Sequence, residues 1–400
     1  MPSQDAILVI NCGSSSVKFA LFSGDAALER VLSGEVDGIG LADGRMQTKT
    51  GTGTMLVDRA LPSSDHNEAL SVILEHANKW LGGAHLRAVG HRVVHGGDDC
   101  DCPVLVTTAL EDRLRELVPL APLHQPHNLA GIAAVRAVKP DLVQIACFDT
   151  AFHHTLPPIA RLFALPRNLQ EAGIRRYGFH GLSYEYVVEA LRRRCIDLER
   201  ERIVVAHLGN GASMCALRGG RSVETTMGFS TLAGLMMGTR SGDLDPGVVL
   251  YLLTKQGLSP EDIETLLYQR SGLLGVSGMS SDMRQLLAHQ SQSAAREAVD
   301  LFCYQARHYL AALTATLGGL DRVVFTGGIG VNAPEVRARI CAGLAYLGIE
   351  LDHAANASGV AIISAAHAAV TVEALASDEE VMIAGHVLRL IRTDTSTKEA

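Results

Sequence analysis

The chain has few aromatic residues. Phenylalanine, tryptophan and tyrosine together make up 4% of its 400 residues, with a single tryptophan. Its core must therefore be built from aliphatic side chains, and apolar residues supply 47% of the total. No apolar run approaches the roughly 20 residues a membrane-spanning helix needs. Met1-Pro2-Ser3-Gln4-Asp5 lacks the basic start of a signal peptide and leads into a strand pattern. The eight cysteines form no CxxC pair, which argues against a zinc site or a disulfide scaffold, and several fall inside apolar strand patterns. That usage points to reduced, buried thiols in a cytoplasmic protein, with Cys100 and Cys102 in a surface loop. A formal charge of -8 excludes an overall basic face for nucleic acid. Arg192-Arg193-Arg194 closes a helical pattern, where the helix dipole favours cations. No GxxxxGK[ST], HExxH or GxSxG motif occurs. Gly209-Asn210-Gly211-Ala212-Ser213-Met214 fails GxGxxG at its last position and enters a strand, so neither a Walker site nor a dinucleotide site is expected.

What is present is a repeated strand–turn–strand. Ile203 to Ala206 is short, β-branched and apolar, and His207-Leu208-Gly209-Asn210-Gly211 reads as a turn before a second run, Ala212 to Leu217. Ile7 to Phe22 has the same form. Aligning Gly13 with Gly209 places Val9 on Val205, Ser14 on Asn210, Lys18 on Met214 and Leu21 on Leu217, with the two copies about half a chain apart. A third apolar run enters glycines at Val323 to Asn332. This pattern predicts a duplicated domain with a phosphate-binding turn in each half; the alternative is three ordinary buried hairpins. Helical spacing is expected over His66–Leu81, Asn128–Val138, Ser183–Arg194, Pro246–Lys255, Pro260–Gln269, Ser281–Ala288 and Ser293–Leu317. Thr108-Ala109-Leu110-Glu111 and Ser377-Asp378-Glu379-Glu380 read as capping boxes, the second opening a last helix to about Ile391 with a frayed tail after it. Strands and helices alternate, so the class is α/β.

Polar residues gather at the ends of the apolar strands, where open α/β sheets bind ligands. They are Asn11, Lys18, Arg92, Asp149, His180, His207, Asn210 and Arg240. Each alone fits a structural role. Together, cations to spread charge, glycine turns for phosphates, and carboxylate or amide oxygens for Mg²⁺ are what phosphoryl transfer requires.

The motifs LVINCGSSSVKF, GHRVVHGG, APLHQPHNLAGI, CFDTAFHHTLP, RRYGFHGLSYEY, HLGNGAS, MGFSTLAGLMMGTRSGDLDPG and FTGGIGVN closely resemble those of the acetate/propionate kinase family, in the family's order, from about Ile7 to Ile391. The resemblance implies the duplicated fold shared by actin, Hsp70 and sugar kinases, an RNase H-like pair of α/β domains with an active-site cleft. The expected first domain is 1–149 with about 381–400, carrying the metal and the acyl substrate; the second is 150–380, carrying the nucleotide and a dimer interface. The implied reaction is reversible transfer from ATP to acetate, giving acetyl phosphate and ADP, with Mg²⁺ (or Mn²⁺) and a homodimer as the working form, and no nucleic-acid or membrane partner.

By motif, Asn11 and Glu379 would hold the metal, and Arg92 the acetate carboxylate beside Val94. Ser14 and Ser16 would contact phosphate. Lys18, His207, Leu208, Gly209, Asn210, Gly211, Asp282, Met283, Arg284, Gly328, Ile329, Gly330, Val331 and Asn332 would contact the nucleotide. Asp149, His180 and Arg240 would be catalytic. Acetate is already ionised at neutral pH, so Asp149 is expected to orient Arg92 or a metal-bound water rather than take a proton. The obstacle is repulsion between two anions, which Arg92, Arg240 and His180 would offset in direct in-line transfer. Two positions depart from the family pattern: Tyr184 stands where a second histidine is usual, and Val331 where glutamate is common. Val94 is bulky, which favours acetate over propionate by the ~1–3 kcal/mol that one methylene is worth. The rival readings are a propionate or broader short-chain carboxylate kinase, and a non-catalytic nucleotide switch on the same fold.

Overall fold

Two hairpins seed two sheets. The computed structural model describes residues 5–13, 16–24, 28–62, 64–81 and 84–398, with 394–398 as backbone only. It divides into two units, Met1–Ala151 with Asp378–Ala400, and Phe152–Ser377, so the chain leaves the first unit within the aperiodic stretch after Asp149 and returns at the last helix.

In the first unit, Asp5–Cys12 (β1) and Ser16–Ser23 (β2) pair antiparallel. Arg30–Asp37 (β3), Arg45–Thr50 (β4) and Met55–Ala60 (β5) extend that side as a meander. His85–Val93 (β6) pairs parallel with β1 on the other side, Val143–Phe148 (β8) pairs parallel with β6, and the two-residue Val104–Leu105 (β7) closes the edge. The order is β5-β4-β3-β2-β1-β6-β8-β7. In the second unit, Ile203–Leu208 (β9), Ala212–Arg218 (β10), Arg221–Thr225 (β11), Arg322–Thr326 (β12) and Thr371–Ala374 (β13) form the order β11-β10-β9-β12-β13. The central five strands of the first sheet, β3-β2-β1-β6-β8, repeat this frame: two antiparallel pairings, then two parallel ones.

Helices cover the sheets because their apolar residues recur at helical spacing. His66–Trp80 buries Leu70, Ile73 and Leu74 in one cluster with Ala134 and Val135 of Gln125–Val138 and with Leu8, Ile10, Phe19 and Leu21 of β1 and β2. Each such side chain contributes roughly 1.5–3 kcal/mol on burial. Glu379–Lys398 packs so closely on β6 that a Cβ built at Gly90 would lie 2.5 Å from Ile383 Cγ2; only glycine allows that approach. In the second unit, Gly181–Arg193 lays Tyr184, Val187, Val188 and Leu191 on Val205, Cys215, Leu217 and Val324.

Several expectations shift. β9 continues through His207 and Leu208 instead of turning before them, because both residues keep the ladder to Ser213 and Ala212. The first hairpin's turn is one residue longer than the second: Val17 pairs with Cys12, and Ala212 with Leu208. Lys18, opposite Asn11, is therefore equivalent to Ser213, opposite His207, and not to Met214. A one-residue slip of this kind turns every side chain to the other face. The third apolar run is no hairpin: β12 is followed by the helix Gly327–Asn332. The caps sit at Thr107, which accepts from Leu110 N, and at Asp378, which accepts from Val381 N at 3.0 Å. The last helix runs through to Lys398. Gly272–Ser277 is a helix that no periodicity signalled. All eight cysteines are free, with Cys102 and Cys195 exposed. No helix of the described residues is long and apolar enough to cross a membrane.

Candidate active site

In the first unit, the carboxyl ends of three parallel strands bring ions together. Ile10 pairs with His91, so one step further Asn11 and Arg92 lie side by side on one face of the sheet. Arg92 pairs with Cys147, two residues before Asp149. Asp149 is buried, and its backbone N–H donates to Val93 O at 3.0 Å. The Arg92 guanidinium donates to it in a fork, Nε to Oδ1 at 3.0 Å and Nη2 to Oδ2 at 2.6 Å. Glu379, first residue of the last helix, adds a second carboxylate 3.4 Å from Arg92 Nε. Burial opposes the Arg92 charge, but Asp149 and Glu379 outweigh it and push the guanidinium above its ordinary range. A guanidinium held on one edge by two carboxylates has its orientation fixed.

Behind this cluster, Asn128 ties two strand ends together, accepting from Val94 N at 3.0 Å and donating to Cys12 O at 3.0 Å. Val94 is itself buried. Lys18 is exposed and lies 3.8 Å from Glu35. Ser16 opens β2 and its carbonyl accepts from Gly13 N at 2.8 Å; Ser14 lies outside the described residues.

The second unit gathers a different set. His180 is the left-handed residue (φ 59°) that starts the helix Gly181–Arg193. Its ring stacks on His207 at 4.3 Å, and its Nδ1 is 2.8 Å from Ser213 Oγ. His207 Nδ1 is 2.8 Å from Ser183 Oγ. A Cβ on Gly211 would meet His180 Nε2 at 3.0 Å and Arg240 Nη2 at 3.6 Å, so this turn lies under both side chains. Arg240 Nη1 donates to Thr231 O at 2.7 Å. Asn210 sits against Gly238, whose added Cβ would fall 2.0 Å from Asn210 Oδ1.

The glycine turns converge as well: a Cβ on Gly209 would lie 3.9 Å from Gly328 N. Asn332 Nδ2 closes the short helix by donating to Gly328 O at 2.9 Å. Asp282 and Arg284 pair with each other, Nη2 to Oδ2 at 2.8 Å, at the start of the helix Met283–Ala288, and Met283 is buried. Sequence reasoning missed Ser213, Ser183 and Arg337. Arg337 is 1% exposed and donates to Gly330 O at 2.8 Å, to Val331 O and to Asn356, so a buried guanidinium holds the glycine helix. Its one sequence signal was an arginine on the apolar face of a helix.

Among the described residues no three His, Cys, Asp or Glu side chains gather to hold a metal. A magnesium ion carried mainly by nucleotide phosphates needs only one or two protein oxygens. Asn11, Asp149 and Glu379 are hard oxygen donors of that kind, so the residues present fit such an ion.

The profile of the Acetokinase family matches residues 6–385. The chain is 50% identical over 394 residues to an acetate kinase of Rhodopseudomonas palustris, covering 97% of this chain and 98% of the relative. Among solved structures it is similar to a propionate kinase from Francisella tularensis, at 36% identity and a TM-score of 0.89 over 96% of this chain and 98% of that one. An acetate kinase from Porphyromonas gingivalis matches at 36% identity with a TM-score of 0.84, over 97% of this chain and 100% of that one. With two α/β units on one five-stranded frame and likeness along nearly its whole length, the chain belongs to the acetokinase family, on the fold of actin, Hsp70 and sugar kinases.

Proposed function

We propose that this enzyme, whose chemistry is the acetate-kinase type of phosphoryl transfer, moves the γ-phosphoryl group of ATP to acetate and back. A carboxylate oxygen of acetate forms the new O–P bond. The bond from phosphorus to the β–γ bridging oxygen breaks, and ADP leaves with the electron pair. No proton need move, since acetate enters as the anion. The observation that carries the reading is Arg92, pinned by Asp149 and Glu379 along one edge at the strand ends. A cation so oriented can receive a small carboxylate without reorganising. Asp149 is then the residue that aims Arg92.

His180 and Arg240 serve the transferring group, and the glycine turns at 209–211 and 327–332 serve the nucleotide with backbone N–H groups. Lys18, Ser14, Ser16, Asp282, Met283 and Arg284 belong to the nucleotide side of this reading. Asn11 and Glu379 would hold magnesium, which would neutralise charge on the phosphates. Buried Val94 sets the acyl pocket for acetate, with propionate a poorer substrate by roughly tenfold or more in kcat/KM.

The working form is a homodimer. Its support is the apolar helix Pro246–Thr254, in which no residue is buried and Leu250 and Tyr251 are 61% and 54% exposed.

The test is a hydroxamate assay with ATP, Mg²⁺ and either acid, alongside sedimentation of the free enzyme. Hydroxamate formed from acetate, with a lower kcat/KM for propionate, supports the reading. A preference for propionate moves the substrate, and no hydroxamate with either acid leaves a nucleotide switch.

A further inference from the structure

Within the second unit runs a chain of hydrogen bonds that ends on His180. Tyr184 is fully buried, and among the described residues its hydroxyl has one partner, Ser213 Oγ. Ser213, also fully buried on β10, meets His180 Nδ1 at 2.8 Å. Burial pushes the Tyr184 hydroxyl well above its ordinary range, so it keeps its proton. That proton has a single acceptor, the Ser213 oxygen. The serine's own proton is then left for His180 Nδ1. Any other arrangement strands one buried O–H without an acceptor, which is unfavourable.

We propose that Tyr184 and Ser213 are positioning residues, a one-way relay from Tyr184 to Ser213 to His180 that holds the imidazole neutral with its proton on Nε2. Nε2 is the atom that meets the Gly211 turn beside Arg240. Given the phosphoryl-transfer reading, on which this consequence rests, His180 meets the phosphoryl group as an N–H donor and Arg240 supplies the positive charge. Four further side chains face the relay within this unit. From β9, His207 stacks on His180 at 4.3 Å, and from the segment after β11 comes Arg240. From the turn Ala151–Thr155, His153 meets Tyr184 edge-on at 5.6 Å, and from β10, Cys215 lies beside Tyr184 with its thiol pushed up to about 12 by burial.

Tyrosine at 184 is what makes the relay one-way. An imidazole there would offer a ring nitrogen that can accept from Ser213. The chain could then run backwards, His180 Nδ1–H donating to Ser213, and His180 could take a second proton.

The experiment is nitrogen-15 NMR of the full-length enzyme labelled at histidine, with His180 assigned by comparison with His180→Gln. At pH 7 the wild-type ring is expected to be neutral with hydrogen on Nε2. In Tyr184→His the Nδ1–H form or the imidazolium appears, and the pH at which His180 gains its second proton rises by about one unit. Ser213→Ala, which removes the donor to Nδ1, gives both tautomers. An imidazolium or an Nδ1–H ring in the wild type overturns the relay, and so does Tyr184→His with an unchanged His180 spectrum. The wild-type spectrum decides even where a variant does not fold. Because it reads the ring directly, it stays distinct from the hydroxamate assay that tests the reaction.

Discussion

Asn11 and His207 occupy the same address in two copies of one five-stranded frame, and so do Lys18 and Ser213. Carried one strand over, Arg92 corresponds to Thr326, which pairs with His207. At these addresses the first unit places an amide and two cations, and the second an imidazole, two hydroxyls and the glycines that follow Thr326. On the proposed reaction, the difference follows from what each address would recognise. A small carboxylate offers only two oxygens, so a single oriented guanidinium matches it. A polyphosphate is long and highly charged, and many backbone N–H groups spread along glycine turns suit it better. Each solution has its own structural demand. The ionic one needs carboxylates to hold the arginine, and the last helix returns to the first unit with Glu379 at its head. The backbone one needs glycine at the left-handed position 327 and an internal brace, which Arg337 gives by holding Gly330 and Val331.

The division breaks most visibly at its two arginines. Arg240→Ala is expected to lower kcat about a thousandfold, the loss typical of removing a preorganised donor from a developing charge, with KM for ATP little changed. Arg92→Ala is expected to lower kcat/KM for acetate about a hundredfold, chiefly through KM for acetate, again with KM for ATP nearly intact. Steady-state kinetics with each substrate varied in turn separate the two patterns. An Arg92→Ala enzyme whose KM for ATP rises as much as its KM for acetate would collapse the distinction between an acid-binding and a nucleotide-binding unit.

A smaller effect probes the backbone side. Gly327 has φ 76°, and a Cβ there would lie 2.6 Å from Leu208 O. The clash is with main chain, so β9 or the glycine helix must move. Gly327→Ala is expected to raise KM for ATP about tenfold, from strain on the order of 1–3 kcal/mol, while KM for acetate stays put. Equal changes in both would mean that the glycine turn supports the fold rather than the nucleotide.

The duplication was legible because strand period and glycine punctuation are local signals. The hairpins at Ile7–Phe22 and Ile203–Leu217 needed nothing beyond their own residues. The register between them did not follow, since one extra residue in the Gly13 turn changes which side chain equals Lys18, and turn length is fixed by pairing rather than composition. Arg92 and Asp149 could be flagged as polar residues at strand ends. Their forked contact depends on β6 lying beside β8, a long-range pairing no local pattern encodes. Ser213 was illegible for a similar reason: it read as one more residue in an apolar strand, and its meaning comes from His180 and Tyr184 on a helix about thirty residues earlier.

The smallest effect comes from the buried histidines. His91 and His95 in the first unit and His153 in the second are all held down to about 4, because burial disfavours the charged ring. An unfolded histidine titrates near 6.5. Between those values the unfolded chain binds more protons than the folded one, so stability falls as pH drops from about 6.5 towards about 4, and these rings cost nothing more below that. At pH 5 each of these three rings contributes a loss of roughly 2 kcal/mol. The lone tryptophan, Trp80, lies in the first unit and reports its melting alone, whereas far-ultraviolet circular dichroism reports both. From pH 7 to pH 5 the Trp80 fluorescence transition is expected to move down by several degrees. A Trp80 transition that stays in place, or one that moves as far in His91→Gln as in the wild type, would mean that the buried rings of the first unit do not set its acid sensitivity.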